Sequence, residues 1–203
     1  MLLFLEAFAL GIAVSAPPGP VNAYVIRNAL LYGFATSLAI GLGAAAVDGV
    51  YFMAAVAGAN EAFKTAWLGA PLCLVGAAFL GYLGLSGLRA RVSDEEEVLS
   101  YSLRKAFARG VAVTASNPLT IASWLAVAGS LAVSSDKVGL LVSSAAFVVA
   151  GSIAWTTFLS GSIAWSRRWA SETVLHWSAI GASVVIFAFA VRFLMQGLYE
   201  YVL

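Results

Sequence analysis

The sequence predicts an all-α membrane protein: six transmembrane helices arranged as a 3+3 inverted-topology repeat, with helices one and four broken. Three observations predict it. Of 203 residues, 62% are hydrophobic and 10% are charged, against about half and about a quarter in soluble domains. The apolar residues gather into six runs long enough to cross a bilayer. Finally, an eleven-residue stretch near the start returns in the middle of the chain, and each copy runs into proline.

Composition sets the class. A soluble fold of this size leaves too much surface exposed to hide so much apolar material, so lipid is the solvent for most of the chain. A net charge of +1 and the lack of a large basic cluster exclude a nucleic-acid partner. Cys73 is the single cysteine, which excludes an intrachain disulfide and a CxxC metal or redox motif. No cofactor is expected. His176, the single histidine, sits at a predicted helix end near Trp169 and Trp177 and reads as an interfacial residue rather than a ligand.

The first span covers about 2–26 and ends near Arg27. Its start, Leu2 to Val14, is apolar, and Val14-Ser15-Ala16 resembles a leader cleavage site. No positive residue precedes the run and Glu6 lies inside it, so cleavage is not expected. The second span covers about 34–58, between Gly33 and Asn60-Glu61, and the third runs from about Trp67 to Leu88, stopping at Arg89 and Arg91. A polar stretch with the acidic run Asp94-Glu95-Glu96-Glu97 follows and reads as a solvated linker. The chain thus divides into a first three-helix repeat (1–89), a polar cytoplasmic linker (90–105) and a second three-helix repeat (106–203). Spans four, five and six cover about 106–132, 138–165 and 174–197, with Asp136-Lys137 and Arg167-Arg168 at the last two turns.

Orientation follows from the basic residues. The loops after spans one, three and five hold eight: Arg27, Arg89, Arg91, Arg104, Lys105, Arg109, Arg167 and Arg168. The opposite side holds Lys64 and Lys137, with Arg192 inside span six. Loops one, three and five are therefore expected in the cytoplasm and both termini outside. Trp165, Trp169 and Trp177 bracket the fifth loop as an interfacial aromatic belt would.

The repeat pairs Glu6–Ala16, EAFALGIAVSA, with Lys105–Ala115, KAFARGVAVTA: seven of eleven positions are identical, and Ile12/Val111 and Ser15/Thr114 are near-equivalents. The copies open spans one and four, as a duplication of three spans requires. An odd number of spans per half inverts the second copy, an arrangement that places transport sites where the halves meet.

Directly after the repeat come Pro17-Pro18-Gly19-Pro20-Val21-Asn22 in the first half and Ser116-Asn117-Pro118-Leu119-Thr120 in the second. Proline removes an amide donor and clashes with the preceding turn, so both helices should break. Freed backbone groups must then face protein or a watery cavity. At 1.5 Å per residue, both breaks fall within roughly 6 Å of their spans' midpoints. Asn117-Pro118 suits the N-cap and first position of a restarted helix. Two half-helix N-termini near the midplane would offer amide donors to an anionic group such as a carboxylate. The alternative is that the prolines only kink packed helices.

Asp48 stands in span two without a polar neighbour in sequence. Gly41, Ala45 and Gly49 recur every four residues, a pattern that lets helices approach closely, and Asp48 shares their face. An acid at this depth is costly unless paired, protonated or hydrated. It reads as a proton carrier or a counter-charge for a substrate amine, the alternative being a purely structural hydrogen bond. Arg192 is a candidate partner, although its length also lets it snorkel to the outer interface.

These features resemble the LysE (LysE/RhtB) family of amino-acid exporters. The resemblance lies in PPGPVNAYVIRNALLYG at 17–33, the glycine-rich second span with Asp48, GAAFLGYLGLSGL at 76–88 and AFARGVAVTASNP at 106–118. It covers most of residues 1–130; the last two spans match in general character. It implies a six-helix inner-membrane protein that expels an amino acid or related small solute by exchange with protons, not an enzyme. Carried over residue by residue are Pro18, Gly19, Pro20, Asn22, Asn117 and Pro118 for the substrate, and Asp48 for the proton or the amine. A homo-oligomer is compatible with this reading. The rivals are a metal-cation exporter, a membrane-embedded enzyme and a structural subunit. Against them stand the lack of a second central acid or a His/Cys cluster, the lack of a nucleophile–base pair, and the matched helix breaks.

Overall fold

The structure is a computed structural model. It describes residues 2–56, 74, 77–85, 88, 102–117, 120, 121, 123, 124, 138–169 and 171–201. Lys64, Cys73, Arg89, Arg91, the acidic run 94–97, Pro118, residues 125–132 at the end of the fourth span and Asp136-Lys137 lie outside the described residues. The elements are α1 (Leu2–Ser15), α2 (Pro20–Tyr32), α3 (Phe34–Val56), α4 (Leu103–Ala115), α5 (Val138–Ser166), a 3-10 turn (Arg167–Trp169) and α6 (Glu172–Tyr201). Residues 77–85 are also helical.

Among the described residues, α3 and α5 are each long and apolar enough to cross a bilayer. The pair α1 and α2 makes a third such span, bent by 77° at its break. The first span is longer than the sequence suggests: α2 continues past Arg27 to Tyr32, and Arg27 is buried within it. A sharply bent span runs partly sideways and uses more residues to cover the same depth. Arg27 is thus no loop residue, and Arg104, Lys105 and Arg109 of the expected loop cations likewise lie within a helix, α4. α4 begins at Leu103 with Ser102 as its cap residue, and Arg104 and Lys105 are exposed in its first turn.

One residue joins α2 to α3. Gly33 adopts φ 81°, a left-handed conformation that favours glycine. Its amide donates to the Ala29 carbonyl (3.1 Å), while the Ser37 amide donates to the Gly33 carbonyl (3.3 Å). The Arg167 guanidinium lies beside Gly33, which sets the first and fifth loops at the same end of the molecule.

The polarity pattern is inside-out. Val50 and Phe158 are each 64% exposed, while Ser37 and Ser160 are wholly buried. That distribution suits a hydrocarbon solvent, where polar groups gain by turning inward. Trp165, Trp169 and Trp177 are exposed around the turn into α6, and His176 stacks edge-on against Trp177 with centroids 6.0 Å apart.

Two helix crossings hold the core, and they use matching residues. Gly11 of α1 meets the Val148 carbonyl and Gly151 of α5, and Gly151 in turn meets the Phe8 carbonyl and Ile12 amide. Gly110 of α4 meets the Ile40 carbonyl of α3, and Gly43 meets the Phe107 carbonyl and Val111 amide. Phe8, Gly11 and Ile12 are the repeat equivalents of Phe107, Gly110 and Val111. In both crossings any Cβ would strike backbone, so only glycine permits the approach. Around them pack Tyr24, Ile40, Leu80, Val113 and Ile186 in one cluster, and Ala7, Phe52, Trp124 and Val148 in another.

Candidate functional site

The site begins with how each broken helix ends. Pro17, Pro18 and Pro20 supply no amide hydrogens, so the carbonyls at the end of α1 cannot all find helical donors. The Asn22 side chain takes them over: its Nδ2 donates to the carbonyls of Ser15 (2.8 Å), Ala16 (3.3 Å) and Pro17 (2.9 Å). Two amide hydrogens are shared among three acceptors. Its Oδ1 accepts from Trp155 Nε1 at 3.4 Å, which fixes the orientation of the amide. The chain then restarts as α2, with Gly19 as N-cap in extended conformation, Pro20 in the first position and the Ala23 amide donating to the Gly19 carbonyl.

The second half ends its helix by the same logic with different residues. Ser116 caps α4, its amide (3.0 Å) and its Oγ (2.6 Å) both donating to the Ala112 carbonyl. Tyr51 Oη, from α3, donates to the Ala115 carbonyl at 2.7 Å. The Asn117 carbonyl accepts from the amides of Thr120 and Ile121, as the residue before a new helix does. Asn117 Nδ2 donates to Thr120 Oγ1 at 2.9 Å.

Asp48 sits between the breaks, 5% exposed. Its Oδ1 accepts from Trp124 Nε1 (3.0 Å), and its Oδ2 from Ser152 Oγ (2.9 Å) and Ser15 Oγ (3.2 Å). Ser15 Oγ also lies 2.9 Å from Ser152 Oγ, so its one hydroxyl hydrogen can serve either neighbour. A carboxylate offers about four lone-pair sites. Among the described residues, donors reach at most three of them. Trp124 is itself held edge-on by Phe52, with centroids 5.8 Å apart. Arg192 lies exposed on α6, and the described partners of Asp48 are these three neutral donors.

A cavity of about 90 Å³ joins these groups. Pro18, Gly19, Pro20, Asn22, Asp48 and Asn117 all line it, together with Ser15, Thr114 and Thr156. The structure thus brings six of the seven expected site residues to one space; Pro118 lies outside the described residues. Asn22 differs from expectation in one respect, since its donor group is engaged by backbone carbonyls. The first turn of α2 also borders the cavity through Val21 and Asn22, whose amides have no carbonyl within the helix. Thr114 Oγ1 is buried and without a hydrogen-bond partner among the described residues.

Sequence reasoning missed Ser15, Thr114, Trp124, Ser152 and Tyr51. One signal was present: Ser15 and Thr114 are near-equivalents in the repeat, each at the end of its broken helix. Trp124 and Ser152 reach Asp48 from 76 and 104 residues away, and no local pattern announces that.

A family model described as "LysE type translocator" matches residues 12–197. The chain belongs to the LysE family. It is 31% identical over 206 residues to the "Putative amino acid efflux protein YcgF" of Bacillus subtilis, covering 98% of each chain. It is 30% identical to the "Chemotactic transduction protein ChpE" of Pseudomonas aeruginosa, covering 94% of this chain and 96% of that one. The "Arginine exporter protein ArgO" of Salmonella enteritidis is 32% identical over 134 residues, 63% of each chain. No solved structure matches the chain. Membership makes it a protein of membrane transport.

Proposed function

We propose that this LysE-family chain exports an amino acid or a closely related small solute from the cytoplasm, by alternating access around the cavity between the two helix breaks and in exchange for protons. One observation carries the reading: a buried carboxylate whose described donors are three neutral groups lines one small cavity together with the first turn of α2, whose amides have no carbonyl within the helix. An amino acid carries one group for each. Its carboxylate meets the first turn of α2 and its partial positive charge; Thr114 Oγ1 gains a partner; its ammonium, or the exchanged proton, takes the open position on Asp48. Ser15, free to turn between Ser152 and Asp48, adjusts the cage as that position fills.

The matched glycine crossings support a 3+3 inverted repeat as the moving framework, since each broken helix is seated on the second span of the other half. Among relatives, YcgF and ArgO carry names of amino acid efflux and arginine export, which supports the substrate class. A metal-cation exporter fits less well, because Asp48 is surrounded by hydrogen-bond donors, one of them an indole N–H that cannot coordinate a cation.

The test is efflux from proteoliposomes loaded with labelled amino acids. An inward proton gradient should speed release by the wild type, and Asp48→Asn should remove that acceleration. Gradient dependence that survives in D48N sinks the coupling role of Asp48, and release of none of the amino acids sinks the export reading itself.

A further inference from the structure

We infer that Thr114 and Thr156 bind the carboxylate of the exported solute, as the second half's counterpart of the Ser15–Asp48 pair. This deepens the export reading above and rests on it. The register of the two glycine crossings identifies the pair. Gly43 meets the Phe107 carbonyl and the Val111 amide, and Gly151 meets the same atoms of their repeat equivalents, Phe8 and Ile12. Ile40 and Val148 likewise present their carbonyls to Gly110 and Gly11. Gly43 of α3 therefore corresponds to Gly151 of α5. One residue further along each helix stand Ala44 and Ser152, and five further stand Asp48 and Thr156. Ser15 and Thr114 are equivalents in the repeat itself.

The same frame thus occurs twice with different chemistry. In one copy Ser15, Asp48 and Ser152 form a hydrogen-bonded set. In the other, Thr114, Thr156 and Ala44 take the same places. A hydroxyl replaces the acid, and Ala44 brings no polar group. Thr114 Oγ1 is buried without a partner, and Thr156, also buried, makes no hydrogen bond among the described residues. Gly41 gives Thr156 its room, since a Cβ there would overlap the threonine methyl group.

Both threonines line the cavity that Asp48 lines. A buried hydroxyl without a partner is costly, and here two border one small polar space. Asp48 is the single ionisable side chain in that lining, so an ammonium is drawn to it and a carboxylate is repelled. The carboxylate settles where the equivalent of the acid is a neutral donor. Thr114 and Thr156 each offer one O–H and add to the amides of the first turn of α2. The cavity is therefore polarised, acceptor in one copy of the frame and donors in the other, as an amino-acid zwitterion requires. An acid in both copies would repel the carboxylate, and a hydroxyl in both would leave the ammonium without a counter-charge.

The experiment uses the full-length protein in proteoliposomes, exchanging labelled leucine, threonine and arginine against an excess of each amino acid or of its α-amide. The amide replaces the carboxylate by a neutral group, and on the wild type it should compete about tenfold or more weakly than the acid. Thr114→Val with Thr156→Val keeps the shape of both side chains and removes both hydroxyls. Its preference for acid over amide should fall by about tenfold, the loss expected for hydrogen bonds to a charged group. Thr156→Ser keeps the hydroxyl and should keep the preference. A wild type that takes amide as well as acid overturns the inference and leaves the export reading standing. So does an unchanged preference in the double variant, or a preference in T156S as low as in T156V, which would assign Thr156 to packing against Gly41. If the double variant does not fold, T156V against T156S decides. Exchange of none of the amino acids brings down both readings.

Discussion

At the scale of single residues, Asn22 and Asp48 divide the labour of the site. Asn22 holds the break together: without its side-chain amide, three carbonyls lose a donor in a medium that offers few others. Asn22→Ala should cost about 1–3 kcal/mol, the range for leaving buried acceptors unmet, read as thermal unfolding in detergent. Asn22→Asp makes a sharper test. It keeps the size and shape but turns an acceptor toward three acceptors, so it should destabilise at least as much as alanine. An aspartate variant as stable as the wild type would remove the capping role. Asp48 is already satisfied by neutral donors, which is why the export reading assigns its last lone-pair site, not its whole charge, to the transported species.

At the scale of elements, the two glycine crossings set how closely the helices approach. A Cβ at Gly110 would overlap the Ile40 carbonyl, and backbone cannot swing aside as a side-chain tip can. Gly110→Leu should therefore destabilise by about 1–3 kcal/mol or more, as overpacking does, seen as a lowered unfolding midpoint and a reduced yield of folded protein from membranes. Among the described residues, nothing lies within 4 Å of a Cβ added at Gly181 in α6. Gly181→Ala should be neutral or stabilise by up to about 1 kcal/mol through helix propensity. Equal responses at the two positions would mean that propensity, not close approach, governs the crossings.

At the scale of the whole molecule, we propose from the basic residues that loops one, three and five face the cytoplasm. Arg167 and Arg168 lie at the turn after α5, and the Arg167 guanidinium beside Gly33 brings the first and fifth loops to one end. In a Cys73→Ser background, Arg168→Cys should react with a membrane-impermeant maleimide in inside-out vesicles and stay protected in intact cells. Labelling from outside intact cells would reverse the orientation.

Much of this organisation was legible in the sequence because it is written locally. Gly33 and Arg167-Arg168 mark the ends of α3 and α5 closely, and the prolines after the repeat mark where α1 and α4 stop. The end of α2 was not legible, since a 77° bend changes how many residues a span consumes and no window of apolarity registers a bend. The cage around Asp48 was not legible either: its donors come from α1, α5 and the stretch beyond the second break, and only the packed fold brings them within reach. Asn22 was expected at the break for the substrate, and its hold on three carbonyls was not foreseen, because a sequence shows that carbonyls are freed but not which side chain collects them.

The paired crossings carry one more consequence. α1 rests against α5 and α4 against α3, so neither residues 2–56 nor residues 102–201 complete these crossings alone. Severed within residues 90–101 and produced separately, each fragment would present an empty glycine-lined trough and be cleared or aggregate, whereas the two produced together should find one another and restore transport.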